Sequence, residues 1–420
     1  MSSINDSTKL TVSRKVSPLW RNRDYMLLWS GQLVSSIGSG VSGVAFPLLI
    51  LAVTGSPAQA GIAAALSELP YLLLSLPAGA LVDRWNRKYV MILCDAGRAL
   101  CLASILLALL LGLLGIVQIY LVTLLEGSFF VFFNIAQAAS LPSVVEEQQL
   151  PAAVAQNIAT YGISGLLGPS IGGALYSIMQ GLPFLADAVS YLVSVFSLFL
   201  IRVPFQPGRD SALRPRQLYH EIGEGLSWLW RHPLIRFLAL KSFLGNLTQS
   251  GTTLLVIIIA QRQHASSFVI GLILAFGGIG SLLGALSASS MQKRLSFGQV
   301  IIGCSWIVTV VWPLFLIAPN AFVLGGLMVI YSFALPIHNV VLMSYRLALV
   351  PDSLRGRVTS VFRLISYGGF PLGLALTGVL IQRVGVTLTI FILLAGLLTS
   401  TVATTLYPAV RHAPALTQTT

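Results

Sequence analysis

Long apolar runs dominate this chain, and a helix needs about 20 mainly apolar residues to cross a bilayer. Twelve such segments are read, at 26–53, 57–82, 89–113, 116–140, 152–179, 182–201, 234–260, 265–290, 298–318, 320–345, 355–382 and 385–409. Only 9% of the 420 residues are charged, against about 25% in a soluble protein. So few charges cannot build a water-exposed surface, and the mean hydropathy of +0.85 agrees. Cys94, Cys101 and Cys304 all fall in apolar stretches, so no extracellular disulfide framework is indicated.

The net charge of +12 is distributed as topology is encoded, not as nucleic acid is bound. Of 25 basic residues, 20 lie on one side of the spans. They are Lys9, Arg14, Lys15, Arg21 and Arg23, then Arg84, Arg87 and Lys88, then Arg202, Arg209, Arg214, Arg216, Arg231 and Arg236, then Lys293, Arg294, Arg346, Arg355, Arg357 and Arg411. The opposite loops hold Arg262 and Arg383, while Arg98, Lys241 and Arg363 lie inside spans. Both termini are therefore expected in the cytoplasm. The polar first 25 residues lack an apolar core with a small-residue cleavage site, and read as a cytoplasmic tail.

Three units are expected: residues 1–201, a central loop at 202–233, and 234–420. After Pro204, Pro207 and Pro215, the loop reads as an amphipathic helix over 217–230, with Leu218, Ile222, Leu226 and Leu229 on one face. Trp228 and Trp230 suit a membrane interface better than a calmodulin-type or DNA-binding helix. The outer units repeat each other. Gly79-Ala80-Leu81 recurs at an offset of 205 as Gly284-Ala285-Leu286, and Gly168 and Gly173 recur as Gly373 and Gly378. Parallel six-helix repeats place a site between the halves, near the midplane.

Gly79-Ala80-Leu81-Val82-Asp83-Arg84-Trp85-Asn86-Arg87-Lys88 resembles the loop signature of the major facilitator superfamily, with Asn86 where glycine is usual. Gly168-Pro169-Ser170-Ile171-Gly172-Gly173, preceded by Gly162 and Gly165, resembles the antiporter motif. Arg355-Gly356-Arg357-Val358, Pro371-Leu372-Gly373 and the entry from Asn22 to Gln32 resemble the branch holding macrolide and enterobactin exporters. The resemblance covers nearly the whole chain. It implies an all-α polytopic membrane protein, twelve transmembrane helices in two six-helix bundles. It also implies that Asp83, among Gly79, Arg84, Arg87 and Lys88, contacts the start of helix 11 and locks the outward-facing state. Three departures stand out: Ser39 where related exporters often carry an acid, Glu126-Gly127 where many proton-coupled antiporters carry an arginine, and Ala288 where the second loop motif would carry its acid.

Buried charges are the sharpest clue, because one at mid-bilayer costs roughly 2.5–3.5 kcal/mol on insertion scales. Glu68 and Glu126 lie at about the midplane, by their distance into helices 2 and 4. The resemblance puts those helices on the cavity. A carboxyl there can carry a proton or meet a cationic substrate, and a structural bond to a neighbouring helix is the alternative. Lys241 and Arg363 can receive an anion, pair across the cavity with the glutamates, or snorkel to the interface. His338 and Asn339 are substrate candidates, though a lone histidine more often packs. Asp95 and Arg98 share a face of helix 3 and are expected to be a structural pair, and Asp187 is also expected to be structural. Glycines four apart, such as Gly168 and Gly172, Gly280 and Gly284, or Gly369 and Gly373, allow close helix approach. They are expected to let helices 5, 8 and 11 slide as the halves rock.

Catalysis finds little support. There is no phosphate-binding G-x-x-x-x-G-K-S/T loop, and His220-Glu221-Ile222-Gly223-Glu224 lacks the second histidine of a zinc site. No cofactor or metal is implied. The expected function is proton-coupled export of a small amphipathic drug, macrolide or siderophore-like compound by a monomer in the bacterial inner membrane. The alternatives are an importer or facilitator on the same fold and, more remotely, an intramembrane hydrolase built on Glu68 and Glu126.

Overall fold

The computed structural model describes residues 18–205, 215–411 and 413, with side chains omitted at 215–222. Lys9, Arg14, Lys15, Arg209 and Arg214, Pro207, and the side chains of Arg216, Leu218 and Ile222 lie outside the described residues.

Caps set the helix starts. α1 (Arg23–Thr54) begins where the Asn22 side chain accepts from the Tyr25 N–H, and it ends at Gly55, whose φ of 62° suits a residue without a Cβ. α2 (Pro57–Val82) starts behind the Ser56 cap, with proline in its first turn. α3 (Arg87–Leu110) is capped by Asn86, which accepts from the Lys88 and Tyr89 N–H groups. The departure of Asn86 from the usual glycine thus supplies a helix cap. α4 (Ile116–Val144), α5 (Leu150–Ile178) and α6 (Leu182–Leu200) complete the first bundle.

α7 (Pro215–Arg231) matches the expected amphipathic helix. Leu229 is buried, whereas Leu226 and Trp230 are exposed. The second bundle comprises α8 (Pro233–Gln249), α9 (Thr252–Arg262), α10 (Ser267–Arg294), α11 (Phe297–Ile317), α12 (Ala321–Leu349) and α13 (Arg355–Leu406), followed by the short α14 (Pro408–Arg411). No strand occurs among the described residues.

Among the described residues, ten stretches are long and apolar enough to cross a membrane. The expected twelve differ from these ten in two places. α5 is not among the ten, because glycine, serine and asparagine dilute its hydropathy. The eleventh and twelfth segments count as one stretch because they follow each other without an intervening turn, but the 52 residues of α13 break at Gly385, with φ 80° and ψ 169°, at the expected boundary. At 1.5 Å per residue that helix would reach about 78 Å, more than two bilayer cores. The break lets it cross twice. The seventh segment, expected as one helix, is interrupted at Ser250 and Gly251 between α8 and α9.

Alternation of the helices puts the turns at 83–86, 145–149, 295–296 and 350–354 at one end, here the basic face. The turns at 111–115, 179–181 and 263–266 and the Gly385 bend lie at the far face. α3 shows how the membrane sorts side chains. Leu93, Leu100 and Leu107, seven apart, are exposed on one side, while Met91, Asp95, Arg98, Leu102 and Ile105 are buried on the other. α2 packs on α13 and α5 on α10, and these two seams join the bundles.

Candidate functional site

The buried face of α3 carries Arg98 into the first bundle. Its Nε lies 3.6 Å from Glu126 Oε1 of α4 and its Nη1 3.9 Å from Asp95 Oδ1. Its guanidinium sits 4.1 Å over the Tyr191 ring of α6, and Nη2 donates to Ser39 Oγ of α1 at 3.4 Å. The Tyr191 hydroxyl lies 2.9 Å from Ser39 Oγ and donates to Glu126 Oε1 at 3.4 Å. One turn before Tyr191, Asp187 accepts from Ser42 Oγ at 2.5 Å and from Ser190 Oγ at 3.1 Å. Asp95 and Asp187 are both fully buried. Three carboxyls and one guanidinium thus gather inside the first bundle, with Glu126 14% exposed.

This differs from the sequence reading in one respect. Asp95 and Arg98 were expected to form a structural pair on helix 3. Arg98 instead joins Glu126, because the outward leucine face of α3 turns its polar face toward α4 and α6. Tyr191 was missed, although it stands four residues after Asp187, on the same helical face. Glu68 on α2 is partly buried and forms no ion pair within 4 Å among the described residues.

The second bundle encloses a cavity of about 630 Å³, lined from α8, α9, α11, α12 and α13. Lys241 Nζ of α8 lies 2.7 Å from His338 Nε2 of α12, so these two expected candidates come together. They pair within one bundle rather than across to the glutamates. Asn339 and Arg363 also line the cavity. Arg346 was read as a loop base, but it is only 6% exposed, with its guanidinium 4.3 Å over the Phe362 ring. The break between α8 and α9 borders the same cavity, where Thr252 Oγ1 lies 3.0 Å from the Tyr331 hydroxyl. Interrupted helices at a cavity are a known way for transporters to present backbone groups to a substrate.

At the basic face, Arg87 Nη2 donates to Asp83 Oδ1 at 3.3 Å and its Nη1 to the Ala139 carbonyl at 2.8 Å. Lys88 donates to the Ile201 carbonyl at 2.7 Å. Asp83 is half exposed, and its ion partner here is Arg87, on its own loop, rather than the start of α13. Arg84 is exposed, and a methyl on Gly79 would meet open space. Arg357, at the start of α13, pairs with Glu224 of α7.

The glycine pairs divide by task. A methyl on Gly168 would come 2.6 Å from Gly40 Cα, and one on Gly172 2.5 Å from the Val41 carbonyl oxygen, so both seat α5 on α1. Gly280 and Gly284 seat α10 on α12, and Gly369 and Gly373 seat α13 on α8. These contacts lie within bundles, which corrects the expectation that they form the sliding faces. Between the bundles, a methyl on Gly61 would come 2.8 Å from Gly378 Cα, and one on Gly173 2.9 Å from Gly271 Cα. Nearer mid-membrane, a methyl on Gly278 would come 2.5 Å from the Gly165 carbonyl oxygen. The Pro169 carbonyl also abuts Gly271. Gly61 with Gly378 and Gly271 with Gly173 occupy matching places in the two seams, near the far face.

Residues 13–418 match the family model described as transmembrane secretion effector. The multidrug efflux pump Tap of Mycolicibacterium fortuitum is 28% identical, covering 92% of this chain and 96% of that protein. Macrolide efflux protein A of Streptococcus pyogenes is 25% identical, covering 87% and 91%. Among solved structures, a bacterial homologue of the iron transporter ferroportin in its inward-facing state superposes with a TM-score of 0.71 at 16% identity, over 92% of this chain and 98% of that one.

Proposed function

The chain belongs to the efflux branch of the major facilitator superfamily, and from that premise we propose that it exports small amphipathic compounds from a bacterial cell in exchange for protons. It is a secondary transporter, so its substrate leaves chemically unchanged. Drugs are the substrate class that the relatives' names suggest. The protein works as a monomer in the plasma membrane with the basic face, and so both termini, in the cytoplasm. The asymmetry of basic residues supports that orientation.

In this orientation the glycine seams close the external side, and the cavity belongs to the inward-facing state. Residues 1–201 and 234–420 move as two bundles about the central loop at 202–233. The glycine seams part as the cytoplasmic side closes, and Asp83 then leaves Arg87 for the start of α13.

The observation that carries proton coupling is the imbalance around Arg98. Fully ionised, Asp95, Glu126 and Asp187 would leave two uncompensated negative charges. Each buried ion without a partner costs several kcal/mol. The cluster therefore exchanges protons as the site opens and closes. It also accounts for two sequence departures. The acid absent at Ser39 of α1 is supplied to the same neighbourhood by Asp187 of α6, and the arginine absent from α4 by Arg98 of α3. Glu68 of α2 is a further intramembrane carboxyl that can carry a proton.

The test is a susceptibility panel of macrolides and other amphipathic drugs in cells lacking endogenous pumps, with and without the chain. Resistance that is lost in Glu126→Gln at equal membrane abundance supports the reading. Unchanged susceptibility to every compound, with the protein present in the membrane, contradicts it.

A further inference from the structure

From residue 234 to the C-terminus the sequence contains one acid, Asp352. That acid lies outside the cavity, 85% exposed and 2.7 Å from Arg355. The cavity of the second bundle nonetheless gathers Lys241, Arg346 and Arg363, with no carboxylate in its wall among the described residues. Lys241 meets His338, a neutral acceptor when it takes the lysine's hydrogen bond, so its charge is solvated but not cancelled.

Buried donors in the same wall also lack partners. Arg346 Nε and the hydroxyls of Ser242, Ser250 and Ser366 are enclosed, and none has a hydrogen bond among the described residues. Arg346 and Ser366 are both more than nine-tenths buried. The uncancelled positive charge of Lys241, Arg346 and Arg363 in this wall calls for an acceptor that carries negative charge. The first bundle cannot readily supply it. Its Arg98 cluster is occupied with its own base, and Glu68 forms no ion pair with Arg363 among the described residues.

We infer that this cavity binds the anionic head of an amphipathic substrate, a carboxylate or sulfonate set between Lys241 and Arg346 with its apolar body toward the bundle interface. The inference rests on the transport reading above and names its substrate class. Arg363, exposed where the wall meets the other bundle, would guide the anion inward from the basic face. Division of labour follows: protons act in one bundle, and the substrate's charge is held in the other.

The test uses two dyes with the same aromatic body, 8-anilinonaphthalene-1-sulfonate and the uncharged N-phenyl-1-naphthylamine. Their affinities are measured for the purified full chain in phosphatidylcholine nanodiscs, with empty discs as background. The wild type should prefer the sulfonate by roughly tenfold, the effect of one charge-assisted hydrogen bond. Lys241→Met should lose that preference and keep its affinity for the neutral dye, while Lys241→Arg retains both. Arg363→Gln, on an exposed position, gives an independent reading and should weaken only the sulfonate. Equal affinities in the wild type, or an undiminished preference in both neutral variants, would overturn the inference. Replacing part of the phosphatidylcholine by phosphatidylglycerol separates substrate from lipid. If sulfonate affinity then falls in the wild type but not in Lys241→Met, a lipid headgroup owns the site and the substrate assignment fails. Proton coupling is scored separately, by pH-driven movement of the neutral dye, so either conclusion can fail without the other.

Discussion

Arg98 of α3 stands 3.6 Å from Glu126 of α4, and the Tyr191 ring lies 4.1 Å from its guanidinium on another side. The pair is held at a helix junction that a membrane would otherwise fill with leucine. A buried ion pair is weak evidence for stability, and the proposed proton coupling rests on this one.

Removing one partner should nevertheless be costly. Arg98→Met leaves three carboxyls without their base and should lower stability by about 3–5 kcal/mol. Combining it with Glu126→Gln should return part of that loss. Thermal unfolding of the detergent-purified single and double variants measures the coupling. Strictly additive losses would show that the two side chains do not act together.

The gate gives a second expectation. Asp83→Asn should leave the protein in the membrane and slow transport at least tenfold, on the scale of one lost charge-assisted contact. The loop stays formed by Arg87 on the Ala139 carbonyl and Lys88 on the Ile201 carbonyl. The loss should therefore appear in turnover, not abundance. Wild-type rates at normal expression would remove Asp83 from the gate.

The far-face seam is testable by bulk. Gly61→Val places a branched side chain where even a methyl would come 2.8 Å from Gly378 Cα. The external side should then fail to close, and the outward-facing population should rise. A cysteine at Met343, which lines the cavity, would be labelled from the cytoplasm more slowly than in the unmodified background. Unchanged labelling would mean that the seam tolerates separation without changing state.

Much of the fold could be read from apolar run lengths alone, because lipid forces the backbone to satisfy itself within each segment. The twelve segments match the helices closely, and the exceptions have local causes. The break at Gly251 depends on neighbours that no run length reports, whereas the bend at Gly385 falls at the expected boundary between the last two segments. Charged side chains were harder. Arg98 was visible as an intramembrane base, but its partners Glu126 and Tyr191 come from two other helices, and helix rotation decides which residues meet. Arg346 shows the same limit: near a helix end it reads as a topology signal, whereas the fold buries it in the cavity. Glycine spacing announced close approach without saying whether the neighbour belonged to the same bundle.

The central claim, that the Arg98 cluster exchanges protons for substrate, is tested most directly in proteoliposomes with an imposed pH gradient. The measurement is uphill accumulation of the compound to which the chain confers most resistance, in wild type, Glu126→Gln and Asp187→Asn. Either substitution removes a proton acceptor while keeping the side chain's shape. The account predicts that gradient-driven accumulation falls to background in Glu126→Gln and weakens in Asp187→Asn, while downhill exchange of the same compound persists. Full accumulation in both variants and in their combination would contradict it.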